Sequence, residues 1–426
     1  MSEQITLSSE QEKAAQDFEI FLDKFQNNPE ELLRPYFVLE GFAGTGKSFC
    51  TGEIVRRTGL RPCYMTYTGK AALVLQRYSN LPAQTIHSTI YKLRVVGDNV
   101  FRNLYKQIEE CNDPEQKKNL ENKVKELLEP QFELNTEAFE DSESDLIVLD
   151  ECSMVDQDIL NDLLSFGLPI LALGDPGQLP PITGEGALFK GMPDARLTEI
   201  RRQALDSPIV KWSMWARTKR PLPTSDPSEL STADIVKVPV NMLRVTQELA
   251  LQEQNDVVIC WKNKTRQMLN QRWRKHKGYY DIDPLYPTPG ETLIITKNDK
   301  TLGIFNGQFV TVKELKREFD NFIETVIITD DEKELTLNLH RVNFEEYHDP
   351  DAKKKYKPWH YKDTQQADFG YAITCHKAQG SQWPRVMIYE ENVLNWPKKY
   401  DERAQWLYTA ITRAVEKVTI LSGRMD

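Results

Sequence analysis

Apolar residues along this chain gather into short runs closed by polar or glycine-containing turns, and the runs are of two kinds. Tyr36-Phe-Val-Leu39, Leu146-Ile-Val-Leu149, Pro169-Ile-Leu-Ala-Leu173 and Val257-Val-Ile-Cys260 are continuous, the pattern of strands buried on both faces in a parallel sheet. Thr292-Leu-Ile-Ile-Thr296, Gln308-Phe-Val-Thr-Val312 and Thr325-Val-Ile-Ile-Thr329 follow one another without a helical stretch, with turn signals at Lys297-Asn-Asp299 and Asn306-Gly307. Several short strands in succession predict a small barrel. Between residues 89 and 144 lies a charged, helix-prone tract, Asn103 to Leu128, flanked by strand-like pieces at Tyr91-Lys-Leu-Arg-Val-Val96 and Gln131-Phe-Glu-Leu134. Gly97-Asp98-Asn99 reads as a turn, which puts Val100 or Phe101 near a tip as an apolar wedge. Pro221-Leu-Pro-Thr-Ser-Asp-Pro227 reads as a loop. No internal repeat of 20 to 50 residues is visible.

Directly after the first continuous run, Gly41 to Ser48 reads GFAGTGKS, the G-x-x-x-x-G-K-[ST] pattern, and a helix-like stretch follows. The strand before and helix after are the context this phosphate-binding loop requires, so a nucleoside triphosphate is the implied ligand. Its glycines let backbone N–H groups close around phosphates, Lys47 neutralises the β and γ oxygens, and the Ser48 hydroxyl ligates Mg²⁺. Gly41, Ala43, Gly44, Thr45, Gly46, Lys47, Ser48 and Phe49 are therefore the expected nucleotide contacts. The run Leu146 to Leu149 delivers Asp150 and Glu151 at its carboxyl end, where ligands sit in α/β sheets. Asp150 is the expected metal-side acid and Glu151 the group that orients and deprotonates water.

The string DECSM, from Asp150 to Met154, and the later GDPGQLPP, from Gly174 to Pro181, resemble motifs II and III of superfamily 1 helicases. Further strings resemble the remaining motifs in co-linear order. Gln11, in LSSEQEKAA, resembles the N-terminal glutamine that reads adenine. Thr66-Tyr-Thr68-Gly-Lys70 resembles motif Ia and Gln84-Thr-Ile-His87-Ser motif Ib. Leu197-Thr-Glu-Ile-Arg-Arg202-Gln resembles motif IV, with Arg202 as a γ-phosphate ligand. Tyr371-Ala-Ile-Thr374-Cys-His376-Lys377-Ala-Gln379-Gly380-Ser381 resembles motif V, and Leu407-Tyr408-Thr-Ala-Ile-Thr412-Arg413-Ala motif VI, with Arg413 as arginine finger. Each string is weak alone; the shared order makes the match specific. The pattern is similar to the RecD-like and Dda-like branch, which moves 5′ to 3′. Cys152 departs from it, since small residues are more usual there.

The resemblance implies an α/β fold with two RecA-like parallel-sheet motor domains. Residues 1–205 form motor domain 1A, with an inserted pin subdomain 1B at about 89–144; residues 206–284 and 365–426 form motor domain 2A; residues 285–364 form an SH3-like insertion 2B. The implied catalytic set is Lys47, Glu151, Gln178, Arg202 and Arg413. Gln11, Asp150 and Gly380 join the loop as cofactor-binding residues for ATP and Mg²⁺, with Ser48 and Asp150 on the metal. Gln178 and Gln379 are placed to report the γ-phosphate to the DNA side. Thr66, Thr68, Lys70, His87, Thr374, His376 and Lys377 are the expected DNA contacts. The implied activity is an ATP-dependent 5′ to 3′ DNA helicase serving replication, recombination or repair. Its expected partners are single-stranded DNA, duplex junctions, and a single-strand binding protein or replisome component.

Two other readings compete with it. A P-loop ATPase without unwinding explains the loop and the acids but not HKAQG or TRA. A RecD-like motor subunit of a nuclease-helicase complex needs an N-terminal docking domain, for which the stretch ahead of Gly41 is too short, so a stand-alone monomer is expected. The net charge of −10 excludes a nucleic-acid binder basic over its whole surface. It leaves room for a local basic track. Lys262 to Lys277 holds seven Lys or Arg and no acid; such a run reads first as a solvated helix face, and its place just after a strand makes phosphate contact the alternative. The six cysteines show no metal-ligand spacing and read as reduced thiols. No apolar stretch approaches the ~18 residues of a membrane span, and MSEQITLSSEQ lacks a signal pattern. A cytoplasmic protein of a bacterial or phage-infected cell is expected, with no membrane partner.

Overall fold

The computed structural model describes residues 7–79, 81–94, 98–128, 131–140, 143–180, 186–189, 191–200, 206–299, 302–356, 358–361, 363–391 and 400–423. The chain divides into two compact units, one of residues 1–90, 136–266 and 373–426, the other of residues 91–135 and 267–372.

In the first unit the continuous apolar runs become two parallel sheets. The first has six strands in the order Ala83–Thr85, Pro62–Thr66, Leu146–Asp150, Ile170–Gly174, Tyr36–Gly41 and Ala195–Leu197, with parallel pairing throughout. Leu146 to Leu149 and Ile170 to Leu173 are buried, as runs covered on both faces must be. One cover is the helix Ser9–Asn27, opened by a capping box in which Ser8 and Gln11 satisfy each other's backbone N–H groups. Its Ala14, Ala15, Phe18 and Phe21 pack on Phe37 and Leu39, with Phe18 edge-on to Phe37 at 5.3 Å. The second sheet runs Ala372–Thr374, Val257–Cys260, Trp383–Glu390, Ala414–Ser422 and Ile235–Pro239, its last four strands parallel. In the first sheet the non-sequential order sets the carboxyl ends of Tyr36–Gly41, Ile170–Gly174 and Leu146–Asp150 side by side, so the three motifs that follow them share one crevice.

The second unit holds the antiparallel strands, in the order Glu334–His340, Phe322–Thr329, Phe309–Glu318, Thr292–Ile295 and Ala367–Phe369. The edges meet: His340 N–H donates to Gln365 O at 2.8 Å and Gln365 N–H to Asn338 O at 2.7 Å. The sheet thereby closes around Leu293, Ile295, Val310, Ile327, Leu339 and Phe369. Three cations of the basic tract, Lys262 to Lys277, face partners within the fold. Arg274 is 1% exposed and paired with the fully buried Glu291 at 2.8 Å, while Lys275 lies over Tyr280 at 4.6 Å and Lys277 over Trp273 at 5.1 Å.

Two helices, Asp98–Glu110 and Pro114–Leu128, and a two-stranded ladder, Tyr91–Arg94 with Gln131–Leu134, complete this unit. They correct the expected wedge. Asp98 and Asn99 open a helix, and Phe101, 7% exposed, packs with Leu104, Ile108 and Val124. Positions i, i+3 and i+7 fall on one helix face, which makes Phe101 core. Val100 stands outside on the same helix, 45% exposed, and Gly97 lies outside the described residues. Among the described residues no helix is long and apolar enough to cross a membrane.

Candidate nucleotide site and nucleic-acid face

The phosphate-loop sequence folds as its glycines require. Gly44 and Gly46 take φ of 81° and 78°, left-handed values that a side chain resists, and the helix Lys47–Thr58 begins at once. A Cβ on Gly41 would lie 2.7 Å from Thr45 Oγ1 and 2.8 Å from Lys47 Cγ. Lys47 Nζ folds over the loop, donating to Gly41 O at 2.5 Å and Phe42 O at 3.3 Å. The loop borders a cavity of about 380 Å³ lined by Ala43, Gly44, Gly46, Lys47, Ser48 and Phe49 together with Asp150, Glu151, Gln178, Gly380 and Arg413.

Three expected nucleotide contacts brace the loop instead of lining the cavity. Gln11 is 1% exposed, donates from Nε2 to Thr45 O at 3.0 Å and accepts the Ser8 N–H at 3.1 Å. Its carboxamide is engaged by backbone and supports the loop. Thr45, also 1% exposed, donates its hydroxyl to Phe42 O at 2.8 Å, and Gly41 supplies the close approach just described.

At the end of Leu146–Asp150 the chain turns sharply. Glu151 sits at φ 52°, ψ 41°, a left-handed conformation uncommon for a non-glycine residue and concentrated at functional sites. Asp150 Oδ1 accepts the Glu151 N–H at 2.8 Å. Burial pushes both carboxyls above their ordinary range; for Glu151 the Arg413 charge opposes the rise and the Asp150 charge adds to it. Arg413, 4% exposed, brings Nη1 to 4.0 Å from Glu151 Oε1. It is held by Thr409 O at 3.1 Å, Thr412 Oγ1 at 3.1 Å and Ser381 O at 3.4 Å. Acids at the carboxyl end of a first-sheet strand and a guanidinium just ahead of the second-sheet strand Ala414–Ser422 thus face one space.

Gln178 and Gln379 are 7% and 4% exposed, and the Oε1 atom of each has no hydrogen-bond partner among the described residues. Gln379 Nε2 donates to Leu179 O at 2.8 Å, and Gln178 borders the cavity. A buried acceptor left open at a cavity wall suits a polar ligand. Ser48 and Asp150 offer one hydroxyl and one carboxylate there, the sparse protein set Mg²⁺ takes when phosphates and water complete its shell. Arg202 lies outside the described residues.

Sequence reasoning missed the residues that join the two sheets. Tyr408, 1% exposed, accepts the Ala43 N–H at 2.8 Å and donates to Asp175 Oδ2 at 2.5 Å. Arg217 stacks its guanidinium over the Phe42 ring at 3.5 Å. Tyr408 and Asp175 stood inside recognised strings, YTAITRA and GDPGQLPP, but nothing in their type or spacing marks a pairing 233 positions apart. Arg217 carries no sequence signal at all.

On the expected nucleic-acid side, Thr66 is fully buried and its hydroxyl donates to Thr68 O at 2.8 Å. It shapes the turn and is unavailable to a ligand, which corrects its assignment. Thr68 Oγ1 accepts the Ala71 N–H at 3.3 Å, and Lys70 Nζ lies 4.5 Å over the Trp383 ring. His87 is partly exposed, edge-on to Tyr67 at 5.8 Å. Thr374 precedes the short helix Cys375–Ala378, which carries His376 beside Trp261 at 6.0 Å and the exposed Lys377. Burial holds the His376 ring below its ordinary pKa.

Residues 31–222 match the AAA domain family and residues 369–421 the UvrD-like helicase C-terminal domain family, the first spanning the loop and acids, the second Thr374 to Arg413. The ATP-dependent RecD2 DNA helicase of Deinococcus radiodurans is 27% identical over 405 residues, covering 89% of this chain and 46% of that relative. The chain is thus similar to a RecD2 helicase and carries segments like an AAA domain and a UvrD-like helicase C-terminal domain. It spans about half the length of this RecD2 relative. A Bacteroides Pif1 helicase in complex with ADP-AlF3 and ssDNA has a TM-score of 0.50 at 18% identity, over 98% of this chain and 92% of that one. Two coordinating Pif1 helicases at forked dsDNA give a TM-score of 0.50 at 16% identity, over 98% and 92%. At such identities the likeness speaks for the fold alone.

Proposed function

We propose that the chain is an ATP-driven motor that travels 5′ to 3′ on single-stranded DNA and unwinds duplex at junctions, working in a reducing cytosol. The observation that carries this reading is the shared cavity, where Lys47, Asp150, Glu151 and Gln178 of one sheet face Arg413 of the other, 4.0 Å from Glu151. We assign residues 1–205 to motor domain 1A and 206–284 with 365–426 to motor domain 2A. The segments 89–144 and 285–364 are assigned as the inserted subdomains 1B and 2B, and closure of the second sheet-forming unit is what supports an SH3-like 2B. Six free thiols agree with the reducing compartment.

Bound ATP supplies the phosphoryl bond whose hydrolysis drives movement, and Mg²⁺ neutralises its phosphates. Ser48 and Asp150 are the residues that would hold the metal. Lys47 turns from the loop carbonyls to phosphate. Glu151 orients and deprotonates water. Arg413 stabilises charge developing across the cavity, an effect worth about 10³ to 10⁵ in rate for arginine fingers. Thr68, His87, Thr374, His376 and Lys377 offer polar and aromatic groups for backbone contact and stacking, which suits sequence-tolerant grip.

Hydrolysis measured with single-stranded DNA, with single-stranded RNA and without polymer tests this reading. DNA is expected to stimulate. Lys47→Ala abolishes turnover, and Glu151→Gln binds ATP and DNA but turns over roughly 10² to 10⁴ times more slowly. Turnover of Glu151→Gln near the parent rate would remove the base assignment; absence of any polymer stimulation would remove the motor.

A further inference from the structure

The helix Tyr400–Ile411, which precedes the last strand of the second sheet, reaches the phosphate loop through one hydroxyl. Tyr408 accepts the Ala43 N–H and donates to Asp175. Asp175, 4% exposed, uses its other oxygen to accept the Gly177 N–H at 2.9 Å, fixing the turn that carries Gln178. A Cβ on Gly177 would fall 2.9 Å from the Tyr408 ring, so turn and phenol are fitted to each other. One residue on, Thr409 Oγ1 accepts the Leu179 N–H at 3.0 Å. Burial and the adjacent Asp175 charge push the phenol well above its ordinary pKa. It therefore remains a proton donor at any working pH.

Arg413 follows five residues after Tyr408. Its own hydrogen bonds run to Thr409, Thr412 and Ser381, all on its side of the cavity, and Glu151 stands 4.0 Å off. Those bonds orient the guanidinium in the turn just past the helix but do not set its distance from the phosphate loop. Tyr408 and Thr409 do, because they tie that helix to Ala43, Asp175 and Leu179.

We propose that Tyr408 is a positioning residue whose hydroxyl latches the arginine-finger helix to the phosphate loop and to Asp175, so that Arg413 reaches its working position only when the latch is made. This rests on the ATP-motor reading of the cavity. The latch must open for the two sheets to separate and let nucleotide exchange, so its loss falls on turnover and not on nucleotide binding by the loop.

The test uses the full chain with Tyr408→Phe, which deletes the hydroxyl alone, and Asp175→Asn, which keeps an acceptor for Gly177 but offers the phenol no carboxylate. DNA-stimulated kcat of Tyr408→Phe is expected to fall ten- to a hundredfold, the range for leaving buried partners unpaired, while KM for ATP and ADP affinity stay within about threefold. Asp175→Asn carries the same expectation should Tyr408→Phe not fold. The double variant should fall no further than the worse single one, since both remove one interaction. Parental kcat in Tyr408→Phe, losses that multiply in the double variant, or a loss appearing mainly in KM overturns the latch. A parent chain without polymer-stimulated hydrolysis overturns the motor reading and the latch with it; an active parent beside an unaffected Tyr408→Phe removes the latch alone.

Discussion

Gly380 shows how one missing methyl joins the nucleotide cavity to the nucleic-acid side. It lines the cavity at φ +71°, and a Cβ there would lie 2.9 Å from Ala71 Cβ and 3.1 Å from Thr68 Oγ1. Alanine would meet both a left-handed penalty of roughly 1–2 kcal/mol and a contact that the neighbouring helix Gly69–Ser79 must yield to. Gly380→Ala is therefore expected to cut DNA-stimulated turnover about tenfold or more. Gly59, at φ +65° with nothing within 4 Å, provides the control: Gly59→Ala should lower thermal stability and leave turnover alone. Equal turnover in the two variants would show that the close approach at Gly380 has no functional weight. The same residue scale explains what the sequence could and could not disclose. Lys47 and Glu151 were marked for the cavity they line by residue type and spacing, and Arg413 by its resemblance to motif VI. Gln11, Thr45 and Thr66 sit in the same recognised strings yet turn inward onto backbone groups. A string identifies a residue's neighbourhood; which way its side chain points is settled by packing.

Among elements, the parallel strands were readable because burial on both faces leaves continuous apolar runs, and the antiparallel ones because short strands were punctuated by turns. The helix Asp98–Glu110 was missed at its start, where Phe101 looked like a tip residue until its spacing to Leu104 and Ile108 was seen as one face. The strand Glu334–His340 has a consequence no pattern announces. His340 is fully buried, accepts the Val342 N–H on Nδ1 at 3.1 Å and stacks on Tyr361 at 4.2 Å. Burial, with positive charge at His360 and Lys297, lowers its pKa to about 4 from 6.5. The folded ring stays neutral while the unfolded chain takes up a proton below about 6.5. Its contribution is thus fully present above 6.5 and is lost as pH falls from there toward 4, by up to about 3 kcal/mol. Urea unfolding of the parent and of His340→Asn, which keeps an acceptor near the Nδ1 position but cannot titrate, should show a shallower acid slope in the variant. Parallel slopes would mean that other groups carry the acid sensitivity.

For the whole molecule, the net charge of −10 places the burden of nucleic-acid binding on local geometry, and the cavity between the two parallel sheets makes hydrolysis a property of both. In the proposed mechanism Arg413 is the group that contributes from the second sheet's side, and its interaction matters most when charge develops on the phosphate. Arg413→Ala should therefore retain most nucleotide affinity while losing DNA-stimulated hydrolysis, read as a fall in kcat with little change in ADP binding. Ordinary hydrolysis in that variant would place Arg413 outside the chemistry and leave the shared cavity without a role. The same coupling makes direction a measurable property of the intact chain. A duplex with a 5′ single-stranded overhang should be unwound at the expense of ATP, one with only a 3′ overhang should not, and Arg413→Ala should unwind neither. The Arg413→Ala result separates two explanations of failure: a variant that still hydrolyses but does not unwind has lost coupling, whereas one that does neither has lost the finger. Unwinding from a 3′ overhang alone by the parent chain would reverse the proposed polarity, because the path of the strand past Thr68, His87 and His376 would then run opposite to the one proposed.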